Sequence, residues 1–296
     1  MKFKSGFVSI VGKPNAGKST LLNRLTGEKI AITSNKPQTT RNTIRTILTD
    51  DESQIIFIDT PGIHKPRTKL GEFMMNEIND SVNSVDVIIY LVDVTRSNIG
   101  EEEKEIIEKL KLTKKPVILA LNKIDAIDKQ KILPVIDKYK DEMNFSGIYP
   151  ISAKEGYGDA EILQKIRELL PEGPMYYPKD SLTDQPEKLI VAEIIREKML
   201  ELLDDEVPHG TGVEVLKFKD RQDKPILDIE ATVYCEKSSH KGIIIGKKGA
   251  MLKKIGMRAR TDIERMLDTK VNLQLWVKIK DDWRNKDSVL KTLGYK

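Results

Sequence analysis

The run Gly12-Lys13-Pro14-Asn15-Ala16-Gly17-Lys18-Ser19 constrains this chain more than any other stretch. It sets two glycines four residues apart and follows them with Lys-Ser. Apolar Phe7-Val8-Ser9-Ile10-Val11 precedes it as a buried strand, and Ser19 to Leu25 opens a helix. Between a strand end and a helix start, glycines let backbone N–H groups wrap a phosphate chain with no Cβ in the way. The helix N-terminus adds partial positive charge. Lys18 can reach β- and γ-phosphates, and the Ser19 hydroxyl can ligate Mg²⁺. The nucleotide-contacting set read from this loop is Gly12, Asn15, Ala16, Gly17, Lys18, Ser19 and Thr20.

The 296 residues leave room for two domains, and a 39% hydrophobic share supplies cores for both. A net charge of +4 names no partner by itself. Cys235 is the one cysteine, which excludes a disulfide framework and fits a reducing, cytoplasmic setting. It falls in an apolar strand pattern and reads as a buried structural thiol. His64, His209 and His240 are too scattered for a Cys/His metal spacing. No stretch reads as a signal peptide or reaches membrane-spanning length.

Residues 1–170 alternate strand and helix patterns, with apolar runs at 7–11, 54–58, 87–92, 117–121 and 147–151. The more alternating Ile44–Thr49 reads as an edge strand. Helical patterns lie at 101–112, 132–143 and 160–170. The expectation is an α/β domain with a mostly parallel sheet and helices on both faces. Pro171, Pro174, Pro178 and Pro186 mark a linker over 171–186. Residues 187–296 then read helix–strand–strand–helix–helix–strand, a small α+β domain. In its first helix the acidic face at Glu193, Glu197 and Glu201 reads as solvated surface.

Four motifs follow the phosphate loop in order. In Asp59-Thr60-Pro61-Gly62, at a strand end, Asp59 is placed to hold Mg²⁺ and the Gly62 N–H to meet a γ-phosphate oxygen. Asn122-Lys123-Ile124-Asp125 follows another strand. A carboxylate accepts only, and guanine offers two adjacent donors, so Asp125 can pair with both where adenine has no such pair. Asn122 and Lys123 brace the loops and cover the base. In Ser152-Ala153-Lys154 a backbone N–H can meet the guanine carbonyl. In Gln38-Thr39-Thr40-Arg41, a threonine hydroxyl can ligate Mg²⁺ only when a γ-phosphate closes the loop, an order–disorder switch. Thr40 is favoured over Thr39. The switch set is thus Thr39, Thr40, Arg41, Asp59, Thr60, Pro61, Gly62 and Ile63. Ile63 stands where Ras-like proteins carry a water-orienting glutamine. Its side chain can neither donate nor accept, so slow hydrolysis is expected, with the water placed by backbone, a cation or a partner.

Between Lys237 and Arg260 the chain carries eight basic residues and no acid. At its centre Gly246-Lys247-Lys248-Gly249 follows Ile243-Ile244-Ile245. A Gly-x-x-Gly turn between helices admits a nucleic-acid backbone, and its lysines supply phosphate contacts. With the surrounding element order this points to a KH domain of type II topology. The expected RNA contacts are Lys241, Ile244, Gly246, Lys247, Lys248, Gly249, Lys253, Lys254 and Arg258, the isoleucines forming a floor for bases. Trp276, in a strand with Leu273, Leu275 and Val277, is expected in the core. Trp283 fits packing or contact equally.

The five GTPase motifs and the His240–Gly249 segment with its basic helix resemble the Era family of bacterial GTPases along nearly the full length. Asn15 resembles that of GTPases that use K⁺ as a charge-stabilising ion. The family resemblance implies GTP and GDP as ligands and Mg²⁺ as cofactor. It implies single-stranded RNA near the 3′ end of 16S ribosomal RNA as partner. It also implies a role in 30S subunit maturation, a monomeric state and loose association with the cytoplasmic membrane. The implied mechanism is a GTP-controlled RNA switch. The rival reading is a GTPase whose KH domain binds RNA regardless of nucleotide.

Overall fold

The computed structural model describes residues 2–34, 36, 39–63, 66–96 and 99–295. Gln38 of the switch motif and His64 lie outside the described residues. The chain divides into two compact units. One comprises 1–65 and 74–184, the other 66–73 and 185–296.

The first unit is built on a six-stranded sheet ordered β2-β3-β1-β4-β5-β6. Its strands are β1 (Lys4–Val11), β2 (Ile44–Thr49), β3 (Ser53–Asp59), β4 (Val87–Asp93), β5 (Val117–Asn122) and β6 (Gly147–Pro150). All neighbours pair in parallel except β2, which lies antiparallel to β3 at the edge. The apolar runs are nearly continuous because both faces are covered. Along β4, Val87, Ile89 and Leu91 enter one core and Ile88, Tyr90 and Val92 the other. The first core takes Leu21 and Leu22 of α1 (Lys18–Thr26) and Ile162 and Ile166 of α5 (Asp159–Leu169). The second takes Ile106, Ile107 and Leu110 of α3 (Glu101–Lys111) and Tyr139 of α4 (Ile132–Lys140). One helix went unread in the sequence, α2 (Lys69–Ser84). Leu70, Met74 and Ile78, spaced four residues apart, form a buried stripe along it.

Most of the segment expected to link the domains is tied to the first unit. The Gln54 side chain accepts from the Tyr176 and Tyr177 amides at 2.7 and 3.0 Å and donates to the Tyr177 carbonyl at 2.9 Å. Further on, the Ile47 amide donates to the Leu182 carbonyl at 2.8 Å, and Arg45 pairs with Asp184 at 3.0 Å.

In the second unit α6 (Glu187–Leu202), α7 (Ser238–Ile245) and α8 (Ala250–Leu267) accompany β7 (Gly212–Asp220), β8 (Ile226–Cys235) and β9 (Lys270–Ile279). Central β8 runs antiparallel to β7 and parallel to β9. One face of β8, Leu227 to Cys235 at every second residue, forms the core with Val191, Ile195 and Met199 of α6, Ile244 of α7, and Ile255, Ala259 and Ile263 of α8. The Cys235 thiol is buried there, and burial pushes its pKa up. A short α9 (Asp287–Thr292) follows.

Three expectations are corrected in this unit. Glu193 and Glu197 are buried, because α6 carries its own cations. Arg196 forms a fork with Glu193, at 3.0 and 2.5 Å. Lys198 Nζ meets Glu197 at 2.8 Å, Glu201 at 2.9 Å and Asp262 of α8 at 2.7 Å. Burial opposes the Lys198 charge, but those three carboxylates outweigh it and raise its pKa. Ile244 is fully buried and offers no floor to bases. Trp276 is 42% exposed. On β9 the buried Val271 and Val277 share a phase with Leu273 and Leu275, which sends Trp276 to the opposite, open face. Trp283 proves to be packing, fully buried with its indole N–H on the Gly210 carbonyl at 2.9 Å.

Lys198→Met removes the cation shared by three carboxylates, one of them fully buried. Urea unfolding should show a loss of about 3 kcal/mol. Lys270→Met, at an exposed pair, should change stability by less than about 0.5 kcal/mol. Equal effects would mean the α6 network carries no special stability.

Candidate functional site

The carboxyl ends of β1, β3, β4 and β5 converge on a cavity of about 440 Å³. That is where an open α/β sheet places its ligands, outside the strand ends. The loop after β1 lines it with Asn15 and Gly17, and α1 with Lys18, Ser19 and Thr20. Asn15 adopts the left-handed conformation, φ 64°. Gly17 sits at φ 100°, and a Cβ there would lie 2.3 Å from the Asn122 amide nitrogen. Ala16 is buried in the core beneath. Lys18 Nζ folds back onto the carbonyls of Gly12 at 3.1 Å and Lys13 at 3.0 Å. Burial pushes its pKa down to about 8, with the Asp59 charge pulling the other way.

Three oxygens meet beside Lys18. Ser19 Oγ donates to Asp59 Oδ2 at 2.7 Å, Thr40 Oγ1 donates to the same oxygen at 3.1 Å, and the two hydroxyls are 3.0 Å apart. Asp59 is fully buried, and its second oxygen, Oδ1, has no hydrogen-bond partner. Burial raises its pKa, against the Ser19 bond, the Lys18 charge and the Thr40 bond. A buried carboxylate flanked by two hydroxyls fits a hard cation that keeps most of its shell for water and phosphate, as Mg²⁺ does. Among the described residues no group of three or more His, Cys, Asp or Glu could hold a metal by itself. Thr39 turns its hydroxyl to the Lys36 carbonyl at 2.7 Å, and Arg41 is fully buried. Thr60 anchors the other switch segment on the Ile10 carbonyl at 2.8 Å. Beyond Pro61, Gly62 lines the cavity. The Ile63 amide donates to the Gly12 carbonyl at 3.3 Å, and its side chain packs on the second core of the first unit.

At the base end Asn122 ties two loops together. Its amide nitrogen donates to the Ala16 carbonyl at 2.8 Å, and its oxygen accepts from the Ala153 amide at 2.9 Å. Exposed Asp125 accepts from Ser152 Oγ at 2.6 Å, which orients the carboxylate and leaves its other oxygen for a ligand. Lys154 is exposed and pairs with Glu155 at 3.1 Å. Lys123 Nζ pairs with Asp93 at 2.6 Å. Asp93 is held low against its partial burial by Lys123 and Thr95. Sequence reading missed Asp93, although it closes β4 directly opposite Asn122 in the sheet register. It also missed Thr33, Ser34, Thr95 and Arg96 in the cavity wall, which belong to no recurrent motif.

In the second unit, α7 and α8 flank the turn Gly246–Gly249. Gly246 is at φ 72°, where a Cβ would press to 2.7 Å on Met251. Lys247 and Lys248 stand exposed on the turn. A groove of about 360 Å³ begins at Gly249 and runs between α8 and β9. Its apolar floor is Leu252, Met257, Leu273 and Leu275, and its cations are Lys253 and Arg260. The turn and Lys253 thus join as expected, and the floor is supplied by leucines rather than isoleucines. The missed signal was a second stripe on α8, 249-252-256-260, beside the core stripe 255-259-263. Lys254 and Arg258 do not line this groove, and Arg258 turns to Glu201 at 3.6 Å. Lys241, on α7, is half-buried and also outside it.

Fold and sites together define a P-loop GTPase carrying a KH module. Residues 7–123 match the family model described as a 50S ribosome-binding GTPase, and residues 206–284 match that of the KH domain. Over 296 residues the chain is 60% identical to GTPase Era of Ruminiclostridium cellulolyticum, covering 100% of this chain and 99% of that one. It is 53% identical to GTPase Era of Clostridioides difficile, covering 99% of each. A crystal structure of Era in complex with MgGDPNP and nucleotides 1506–1542 of 16S ribosomal RNA superposes with TM-score 0.96 at 41% identity, covering 99% of both chains. One of an Aquifex aeolicus Era variant bound to GDP·AlF4⁻ gives 0.95 at 40%, again over 99% of both. The chain belongs to the GTPase Era family.

Gly17→Ala should lower GDP affinity roughly tenfold or more, because the new methyl group displaces Asn122 and strains the loop. Gly27→Ala also forces a side chain onto a positive-φ backbone, at φ 74°, where nothing crowds the Cβ. It should leave affinity unchanged. Fluorescent-GDP titration reads both, and equal losses would sink the steric argument.

Proposed function

We propose that this chain is a GTP-hydrolysing switch that grips 16S ribosomal RNA near its 3′ end and assists 30S subunit assembly. Residues 1–170 form the GTPase domain, 171–186 the connection and 187–296 the RNA-binding domain. The carrying observation is the meeting of Ser19, Thr40 and Asp59. It draws the segment holding Thr40 onto the phosphate loop, and Thr40 lies four residues before β2. The RNA target is supported by the KH groove and by the related Era complex with 16S nucleotides. The matched model's description names the large subunit, but that match ends at residue 123 and leaves out the RNA-binding half.

In this reading Lys18 and the loop amides hold the β- and γ-phosphates, and Asp125 holds guanine. Magnesium, when bound, would neutralise charge on the phosphate oxygens from its place at Ser19, Thr40 and Asp59. The Ile63 side chain places no water, which leaves that task to backbone, a cation or a partner. Asn15, at the cavity wall, supports K⁺ as the cation. The family resemblance alone supports a monomeric, cytoplasmic protein that attaches peripherally to the membrane. Among the described residues no helix is long and apolar enough to cross one.

An oligonucleotide of the 16S 3′ end should bind more tightly with a non-hydrolysable GTP analogue than with GDP, at fixed salt. Lys247→Asp/Lys248→Asp should abolish binding in both states. Equal affinity in the two states would leave a constitutive RNA binder. Hydrolysis should run faster in K⁺ than in Na⁺ at equal ionic strength, and Asn15→Ala should erase the difference. Identical wild-type rates would rule out the K⁺ role.

A further inference from the structure

The face of the second unit's sheet turned away from its helices is unexplained by the groove. Trp276 and Lys278 of β9 share that face with Lys280, one residue past the strand's end, and Tyr234 of β8 lies opposite Lys278 in the register. Trp276 is exposed, and so is Lys278. Lys280 Nζ sits 4.9 Å from the centre of the Tyr234 ring. The carboxylates of this face are otherwise engaged. Glu214 accepts from the Tyr234 hydroxyl at 2.6 Å, Glu230 pairs with Lys217 at 3.3 Å, and Asp228 pairs with Arg221 at 2.5 Å. Among the described residues no carboxylate comes within ion-pair distance of Lys278 or Lys280.

We propose that this face is a second RNA-binding surface, on which a base stacks on Trp276 while Lys278 and Lys280 take the flanking phosphates. Aromatic rings on an open sheet are a platform for unstacked bases, and every base has a π-face, so such contacts tolerate sequence. Lysines at every second position of a strand stand about 7 Å apart, in a row that a nucleic-acid backbone can follow. β9 is an edge strand whose inward Leu273 and Leu275 line the groove. A strand leaving the groove reaches Trp276 by crossing that one edge. A KH groove clamps about four nucleotides, so a longer single strand must continue somewhere. A phenol hydroxyl leaves Glu214 its charge, but Lys278 and Lys280 outnumber it, so the balance of unpaired charge among these residues is positive and suits the phosphates. This rests on the reading of the second unit as an RNA binder.

The chain has two tryptophans, and buried Trp283 gives a constant background against which Trp276 emission can be followed. The full-length protein is titrated with two single-stranded RNAs sharing one core from the 16S 3′ end. One has about five nucleotides, enough for the groove, and the other about twelve. The longer RNA should quench Trp276 and bind roughly tenfold more tightly than the shorter. Trp276→Ala and Lys278→Ala/Lys280→Ala should each remove that gain without touching affinity for the short RNA, and Trp276→Phe should keep most of it. For the longer RNA the double lysine variant should lower the salt slope by about 1.4. Lys247→Asp/Lys248→Asp should instead lose the short RNA. The proposal falls if wild type binds both RNAs equally, or if the sheet-face variants keep the gain. If phosphatidylglycerol vesicles, but not the longer RNA, alter Trp276 emission, the face belongs to a lipid surface. If neither RNA binds wild type, the RNA-binding reading falls and this face with it.

Discussion

The Asn122 side chain is the contact on which the nucleotide site depends. It is fully enclosed, and its two ends hold the loops after β1 and before α5 through Ala16 and Ala153. An amide is suited to this, since it donates from one atom and accepts on the other, and both loops present backbone groups of the required sense. The phosphate loop can then pass over it only without a side chain, which is why position 17 is glycine. Ser152, one residue before the clipped Ala153, in turn orients Asp125. A single buried amide thereby fixes the phosphate loop relative to the segment that orients Asp125.

Electrostatic tension is concentrated beside that clip. Lys18 and Asp59 are both buried, and burial moves each toward its neutral form while each charge opposes the other's shift. Such a site holds charge it has not fully compensated, with Asp59 Oδ1 lacking a hydrogen-bond partner. Lys18 has the charge to meet phosphate oxygens, and Asp59 the charge to meet a divalent cation. The protein bears this charge pattern at a cost, as functional sites commonly do.

The GTPase half was legible because its chemistry is local. Four of its five short motifs each follow an apolar strand, and strand ends on one side of a parallel sheet meet; the fifth, at Thr39, Thr40 and Arg41, lies just before β2. Asp93 was not legible, since its role comes from register with Asn122 and not from neighbours in sequence. In the second half the order of elements and the helix Ala250–Leu267 could be read directly. The errors there share one cause. Glu193 and Glu197 were judged by residue type, but cations on the same helix allow their burial. Ile244 and Trp276 were judged by apolarity, although the helix face and the strand phase decide whether such a side chain meets the core or the solvent. α2 escaped notice because its buried stripe is thin, Leu70, Met74 and Ile78 among polar neighbours.

The first unit contains a physical route from its nucleotide to the segment that leaves it. Thr40 is held at Asp59, and β2 begins four residues later. The Arg45 and Ile47 positions of β2 hold Asp184 and Leu182. A change in the Thr40 segment therefore pulls on the edge strand to which the connecting segment is bonded. β2 is the strand best able to respond, since it has a neighbour of its own sheet on one side only. A ligand shifts such an equilibrium only by its differential affinity for the two arrangements, and the coupling is reciprocal. If GTP strengthens the grip on RNA, bound RNA must strengthen the hold on GTP by the same factor. The complex would then be most stable with both ligands present, and loss of the γ-phosphate would release that shared stabilisation.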